Sequence, residues 1–203
     1  MTKPQTESYM TINDSVEGII YKEKGSKFIG YLFSVTTEDE VQLKLKEIYK
    51  KYKDARHCSY AYRLGSAGLV YRVNDDGEPS NTAGQPIYRQ LLAFDVTEVL
   101  LIVIRYFGGV KLGVGGLIKS YKATAEQTLN KAVIVENKVE VDFTVGCSYE
   151  YTHKVMKLIR AHKLTIKSQE MHLDSQFILC APVGVFKEVI TAFKELRSVK
   201  VTF

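Results

Sequence analysis

Three segments of this chain carry residues that could do chemistry. The first runs from Asn74 to Pro86 and crowds Asp75, Asp76 and Glu78 into one short stretch. Carboxylate oxygens at that density suit a hard cation such as magnesium. Asp, Asn, Gly and Pro are also the residues that build tight turns. The alternation and closing glutamate of a calcium-binding helix–loop–helix are missing. These residues fit a rigid loop in which carboxylates accept backbone NH groups or pair with arginine. Ser80 and Thr82 would then cap a helix starting near Ala83.

The second segment, Arg105 to Tyr121, leads from a strand through glycines 108, 109, 113, 115 and 116 into a helix. NH groups at a helix start attract anions, and glycines let a phosphate approach the backbone. Arg105, Lys111 and Lys119 would add positive charge. No Gly-Lys-Ser/Thr ends the run, so it is not a Walker loop. No acidic residue follows a second parallel strand, which excludes dinucleotide binding. The bland alternative is close backbone packing and positive-φ turns.

The third segment, Arg56 to Arg63, contains His57 and Cys58. Neighbours on a strand point to opposite faces, so these two do not form a nucleophilic dyad. Cys58 reads as a small core residue. His57 can meet Asp75, Asp76 or Glu78 across the loop, as an acid/base or as a loop lock. Tyr60, Tyr62, Tyr71, Tyr88, Tyr106 and Phe107 alternate with arginines, a pattern that can stack on bases. On strands most of them are expected to fill the core.

The elements that must position these segments follow from periodicity. Strands are expected at Val16–Tyr21 and Lys27–Val35, then a helix capped by Thr36 or Thr37 with Val41, Leu45, Ile48, Tyr49 and Tyr52 on its buried face. Cys58–Leu64 and Leu69–Val73 read as a hairpin, Pro86–Phe94 as a short helix and Val99–Tyr106 as a central strand. Gly108–Gly116 reads as a turn and Leu117–Val133 as a long helix. The remainder alternates plainly: strand Lys138–Cys147, helix Tyr151–His162, strands Leu164–His172 and Gln176–Val183 joined through Leu173–Ser175, helix Phe186–Arg197 and strand Val199–Phe203. That βαββαβ order is ferredoxin-like. The expectation is an α+β protein with two domains, 1–136 and 137–203.

Composition bounds the rest. The 203 residues are 45% hydrophobic and 25% charged, with net charge +5, a mild surplus that permits nucleic acid as a partner without demanding it. No apolar run approaches membrane-span length, and the first residues lack an export signal. The cysteines, 58, 147 and 180, are few and widely spaced. They suggest a reducing compartment, no disulfide framework and no zinc site. A cytoplasmic location, no membrane partner and no cofactor are expected.

The segments ARHCSYAYRLG (55–65), NDDGEPSNTAGQP (74–86) and RYFGGVKLGVGGLIKSY (105–121), in this order and spacing, resemble the YigZ/IMPACT family. The resemblance implies an N-terminal domain with a βαβ arrangement like domain four of elongation factor G. It implies a ferredoxin-like tail like domain five, as in bacterial members; the N-terminal RWD domain of eukaryotic members is not expected. It further implies a translation-associated role, by contact with RNA, the ribosome or a translation-regulating protein. Two departures stand out: Asn81 where the family has glycine, and Lys119 where arginine is commoner. The binding residues expected are His57, Asp75, Asp76, Glu78, Thr82, Arg105, Lys111 and Lys119, shaped by the five glycines. The alternative is a hydrolase built on His57, Asp75, Asp76 and Glu78, with no catalytic residue assigned.

Overall fold

The structure, a computed structural model, describes residues 7–171, 174–196 and 198–203. The expected strand end His172, turn residue Leu173 and helix end Arg197 lie outside the described residues, as do residues 1–6. The chain divides into two units, Tyr9–Asn137 and a second that comprises Lys138–Phe203 with the first residues of the chain.

In the first unit, β2 (Val16–Glu23), β3 (Ser26–Ser34), β4 (His57–Leu64), β5 (Val70–Asn74) and β6 (Val99–Tyr106) form one sheet in the order β2-β3-β6-β4-β5. Every neighbouring pair is antiparallel. β3 and β4 flank β6 and therefore run parallel to each other, joined by helix α1 (Glu38–Lys51). The result is a split βαβ unit. β5, helix α2 (Gly84–Ala93) and β6 form a second, around β4.

Side chains alternate across this sheet and meet a helix layer on each face. Leu100, Ile102 and Ile104 face α1, where Val41, Leu45 and Ile48 cover them. Leu101 and Val103 face the other way, onto α2 and α3 (Gly113–Leu129), against Ile87, Leu91, Leu117, Tyr121 and Ala125. Burial on both faces explains why β6 reads as an unbroken apolar run rather than an alternation. Helix α1 starts as expected at Thr37, whose side chain accepts from the Glu40 NH, while Glu40 accepts from the Thr36 NH. Each such cap is worth about 1 kcal/mol.

In the second unit, β8 (Glu140–Ser148), α4 (Thr152–Ala161), β9 (Thr165–Met171), β10 (Asp174–Pro182), α5 (Val183–Lys194) and β11 (Val199–Thr202) give the βαββαβ order. The sheet order β11-β8-β10-β9 is all antiparallel. Phe143, Val145, Phe177 and Leu179 pack against Val155, Ile159, Val189 and Phe193. The α+β class and the ferredoxin-like tail agree with the sequence.

Three elements differ from expectation. Helix α3 begins at Gly113, inside the stretch read as a turn. A helix start needs no large side chains, and Gly113 takes φ 70° to enter it. Ser8–Ile12 forms strand β1, and Ile134–Lys138 forms strand β7; the two pair as a small separate sheet. Neither strand was expected, because neither segment has a regular alternation of its own.

Candidate functional site

His57 and Arg105 are direct cross-strand partners on β4 and β6, on the face covered by α2 and α3. Cys58 points to the opposite face, among Tyr60, Leu45 and Ile48. The strand period thus separates His57 from Cys58, and burial pushes the Cys58 thiol up to about 12. Cys58 is a core residue.

The loop after β5 folds over the His57–Arg105 pair. Its shape comes from two carboxylates turned onto the backbone. Asp75 Oδ1 accepts from the NH groups of Ala83 and Gly84 at 2.9 Å each, and Oδ2 accepts from the Asn81 NH at 2.8 Å. Asp75 therefore caps α2 from nine residues before its first residue, Gly84, the task expected of Ser80 and Thr82. Ala83, in the cap position, makes no side-chain bond, and the buried Thr82 hydroxyl donates to the Pro79 carbonyl instead. Asp76 takes φ 45°, and its Oδ2 accepts from the Cys58 NH at 2.6 Å. Asn81 takes φ 61°, a left-handed geometry that Asn tolerates better than most residues. Gly84 lies against the Asn74 backbone, where a Cβ would come within 2.7 Å of the Asn74 nitrogen.

This rigid loop delivers Glu78 to the buried pair. Arg105 Nη1 donates to Glu78 Oε1 at 2.7 Å, and the Tyr121 hydroxyl donates to the same oxygen at 2.9 Å. The Glu78 and Arg105 side chains are 3% and 8% exposed, so this ion pair is held out of water. Burial, reinforced by the Glu78 carboxylate, pushes the Tyr121 hydroxyl far up, which keeps it a proton donor. The Arg105 guanidinium also lies 5.6 Å from the Phe28 ring and 5.7 Å from the Phe107 ring. His57 Nδ1 is 2.8 Å from the Asp76 carbonyl oxygen, which can only accept. Nδ1 therefore carries the proton, and in the neutral ring Nε2 is left as an acceptor, 4.0 Å from Glu78 Oε1.

His57, Glu78 and Arg105 line a cleft of about 420 Å³, together with Arg56, Pro79, Phe107, Lys111, Leu112, Gly113, Val114 and Leu117. All three sequence segments contribute to it. Of the expected site residues, His57, Glu78, Arg105, Lys111 and Gly113 are at the cleft. Asp75, Asp76 and Thr82 build the loop behind it. Gly108 packs on the turn between β2 and β3, where a Cβ would fall 1.8 Å from the Gly25 carbonyl carbon. Gly109 takes φ 87°, and Gly115 and Gly116 lie in the first turn of α3. Lys119 is exposed further along that helix and is not part of the lining.

Sequence reasoning missed Arg56 and Tyr121 as members of the site, and read Phe107 only within a group of aromatics that could stack on bases but were expected mostly in the core. Tyr121 was legible only as a core position, and its hydroxyl is what reaches Glu78. Phe107 follows the last residue of β6 and is 48% exposed, whereas Tyr60 and Tyr62 are buried as expected. Among the described residues no group of three or more His, Cys, Asp and Glu side chains could hold a metal ion. No helix among them is long and apolar enough to cross a membrane.

Comparison with known proteins places the geometry in a lineage. The family model for the Impact N-terminal domain matches residues 24–129, which spans all three segments. The IMPACT family member YvyE of Bacillus subtilis is 36% identical over 165 residues, covering 81% of this chain and 75% of that protein. The IMPACT family member YigZ of Escherichia coli is 31% identical over 133 residues, covering 64% of this chain and 65% of its own length. A crystal structure of a hypothetical protein aligns over 97% of both chains with a TM-score of 0.78 at 24% identity, a likeness of fold. The chain belongs to the IMPACT family, and the residues lining its cleft lie within the stretch that the family model matches.

Proposed function

We propose that this chain is a translation-associated binding protein whose cleft receives an anionic segment of RNA. One observation carries the reading. The three family segments converge on a single concavity in which Arg56, Arg105 and Lys111 face one carboxylate, Glu78, already paired with Arg105. The start of α3 adds to the positive field: its cap residue Leu112 makes no side-chain bond to the first NH groups, and its first turn has no acidic residue. Exposed Phe107 offers a ring on which a base can stack. Family membership supports the link to translation, on ribosomal RNA or an RNA-bound factor.

The test is sedimentation with ribosomal subunits at rising salt. Salt-sensitive co-sedimentation is the expected result, because phosphate contacts release counterions. A protein that stays at the top of the gradient at low salt, and binds no RNA, removes the proposal. One observation favours hydrolysis as a second reading: His57 lines the cleft, and its tautomer is fixed by the Asp76 carbonyl, which leaves Nε2 free to accept a proton. Turnover of an RNA or phosphoester substrate that His57→Asn abolishes would establish it.

A further inference from the structure

The cleft, at about 420 Å³, has room for a single nucleotide rather than a run of strand, which bears on the part of an RNA it takes. A groove for continuous strand would track a backbone through several open sites. Here Arg56, Arg105 and Lys111 line one concavity, together with the apolar side chains of Leu112, Val114 and Phe107. The lining cations exceed its one carboxylate by two charges with His57 neutral. An internal phosphodiester brings one negative charge. A phosphate monoester brings about 1.5 to 2 near neutral pH and three acceptor oxygens.

Arg105 places in the cleft wall a guanidinium that Glu78 does not saturate. It is 6% exposed and lines the cleft, yet its Nε is buried with no hydrogen-bond partner. Glu78 occupies Nη1 only. A phosphate oxygen is an acceptor of the kind a guanidinium binds best. The uncapped start of α3 lies at the same cleft, with Gly113 and Val114 in its wall. A Cβ at Gly113 would meet nothing within 4 Å, so that approach to the backbone is open.

We infer that the cleft recognises a nucleoside 5′-monophosphate group, with the phosphate on Arg105, Lys111 and the α3 NH groups and the base against Phe107. This rests on the RNA reading above and narrows it to a terminal phosphate. The group can be a free mononucleotide or the 5′ end of a strand, and the chemistry recognised is the same.

The test uses the full chain and one short single-stranded RNA made in two forms, 5′-phosphorylated and 5′-hydroxyl, with binding read by fluorescence anisotropy of a 3′ label. The phosphorylated form should bind at least tenfold more tightly. Arg56→Ala with Lys111→Ala, both outside the buried core, should reduce that preference to under threefold while the circular dichroism spectrum stays unchanged. Unlabelled nucleoside 5′-monophosphate should compete with the phosphorylated RNA better than inorganic phosphate does. Competition by the mononucleotide at the affinity of the RNA supports the inference with the free nucleotide as its source; weaker competition supports it with a strand end. Equal binding of the two RNA forms overturns the inference and leaves the RNA reading standing. Failure of both forms to bind overturns both. Inorganic phosphate competing as well as the mononucleotide overturns the nucleoside part.

Discussion

At the scale of single residues, the site is a division of labour among carboxylates that look alike in sequence. Asp75 and Asp76 accept backbone NH groups, while Glu78 meets Arg105, Tyr121 and, at longer range, His57. Glu78→Ala strands the Arg105 charge in a buried setting. It should lower stability by about 3–5 kcal/mol, measured by urea denaturation. A companion Arg105→Met change in the same chain should recover much of that loss, because it removes the stranded charge. Loss of stability that the second change leaves untouched would mean the pair is not coupled. Asp75→Ala deletes the acceptor for three NH groups and should cost on the order of 3 kcal/mol. That three carboxylates sit in one loop was legible from residue type. Which of them turns inward was not, because a turn can aim any of the three at the cleft.

At the scale of elements, strand periodicity made the division between His57 and Cys58 readable before any coordinates. The same rule puts His57 and Arg105 on one face once β4 and β6 are known to pair. That pairing joins residues 48 positions apart by register, which no local pattern encodes. The onset of α3 was misplaced for a related reason: glycines signal a turn by propensity, and here packing of Leu117 and Tyr121 on the sheet pulls the helix start back to Gly113. Asn81 sits in the loop at φ 61°, a left-handed geometry that asparagine tolerates. Asn81→Gly should change stability little. Asn81→Val, a β-branched residue in the left-handed region, should cost about 1–2 kcal/mol in the same denaturation assay. A valine variant as stable as the parent would contradict the assigned backbone. The loop from β6 into α3 leans on the β2–β3 turn, so Gly108→Ala forces backbone against backbone and should weaken both the fold and the cleft.

At the scale of the whole molecule, the α+β class, the ferredoxin-like order and most element bounds were legible because amphipathic periods are strong in β8 through α5. Strands β1 and β7 were not, since they are short and pair across a long stretch of intervening sequence. Global stability carries a signature of the buried thiols. Burial holds Cys58 and Cys180 up to about 12, whereas an unfolded thiol titrates near about 8.5. Between those values the folded chain keeps protons that the unfolded chain has lost, so stability should fall as pH rises from about 8.5 toward 12. Denaturant midpoints measured at pH 8 and pH 10.5 check this, and an unchanged midpoint would contradict the burial. RNA binding in the cleft is read most directly from the salt dependence of single-stranded RNA affinity for the parent chain and for Arg56→Ala/Lys111→Ala. Affinity should drop in the variant, and the slope of log K against log salt should flatten by about 0.7 for each lost phosphate contact. An identical affinity and slope in the two proteins would place RNA elsewhere on the molecule and contradict the account.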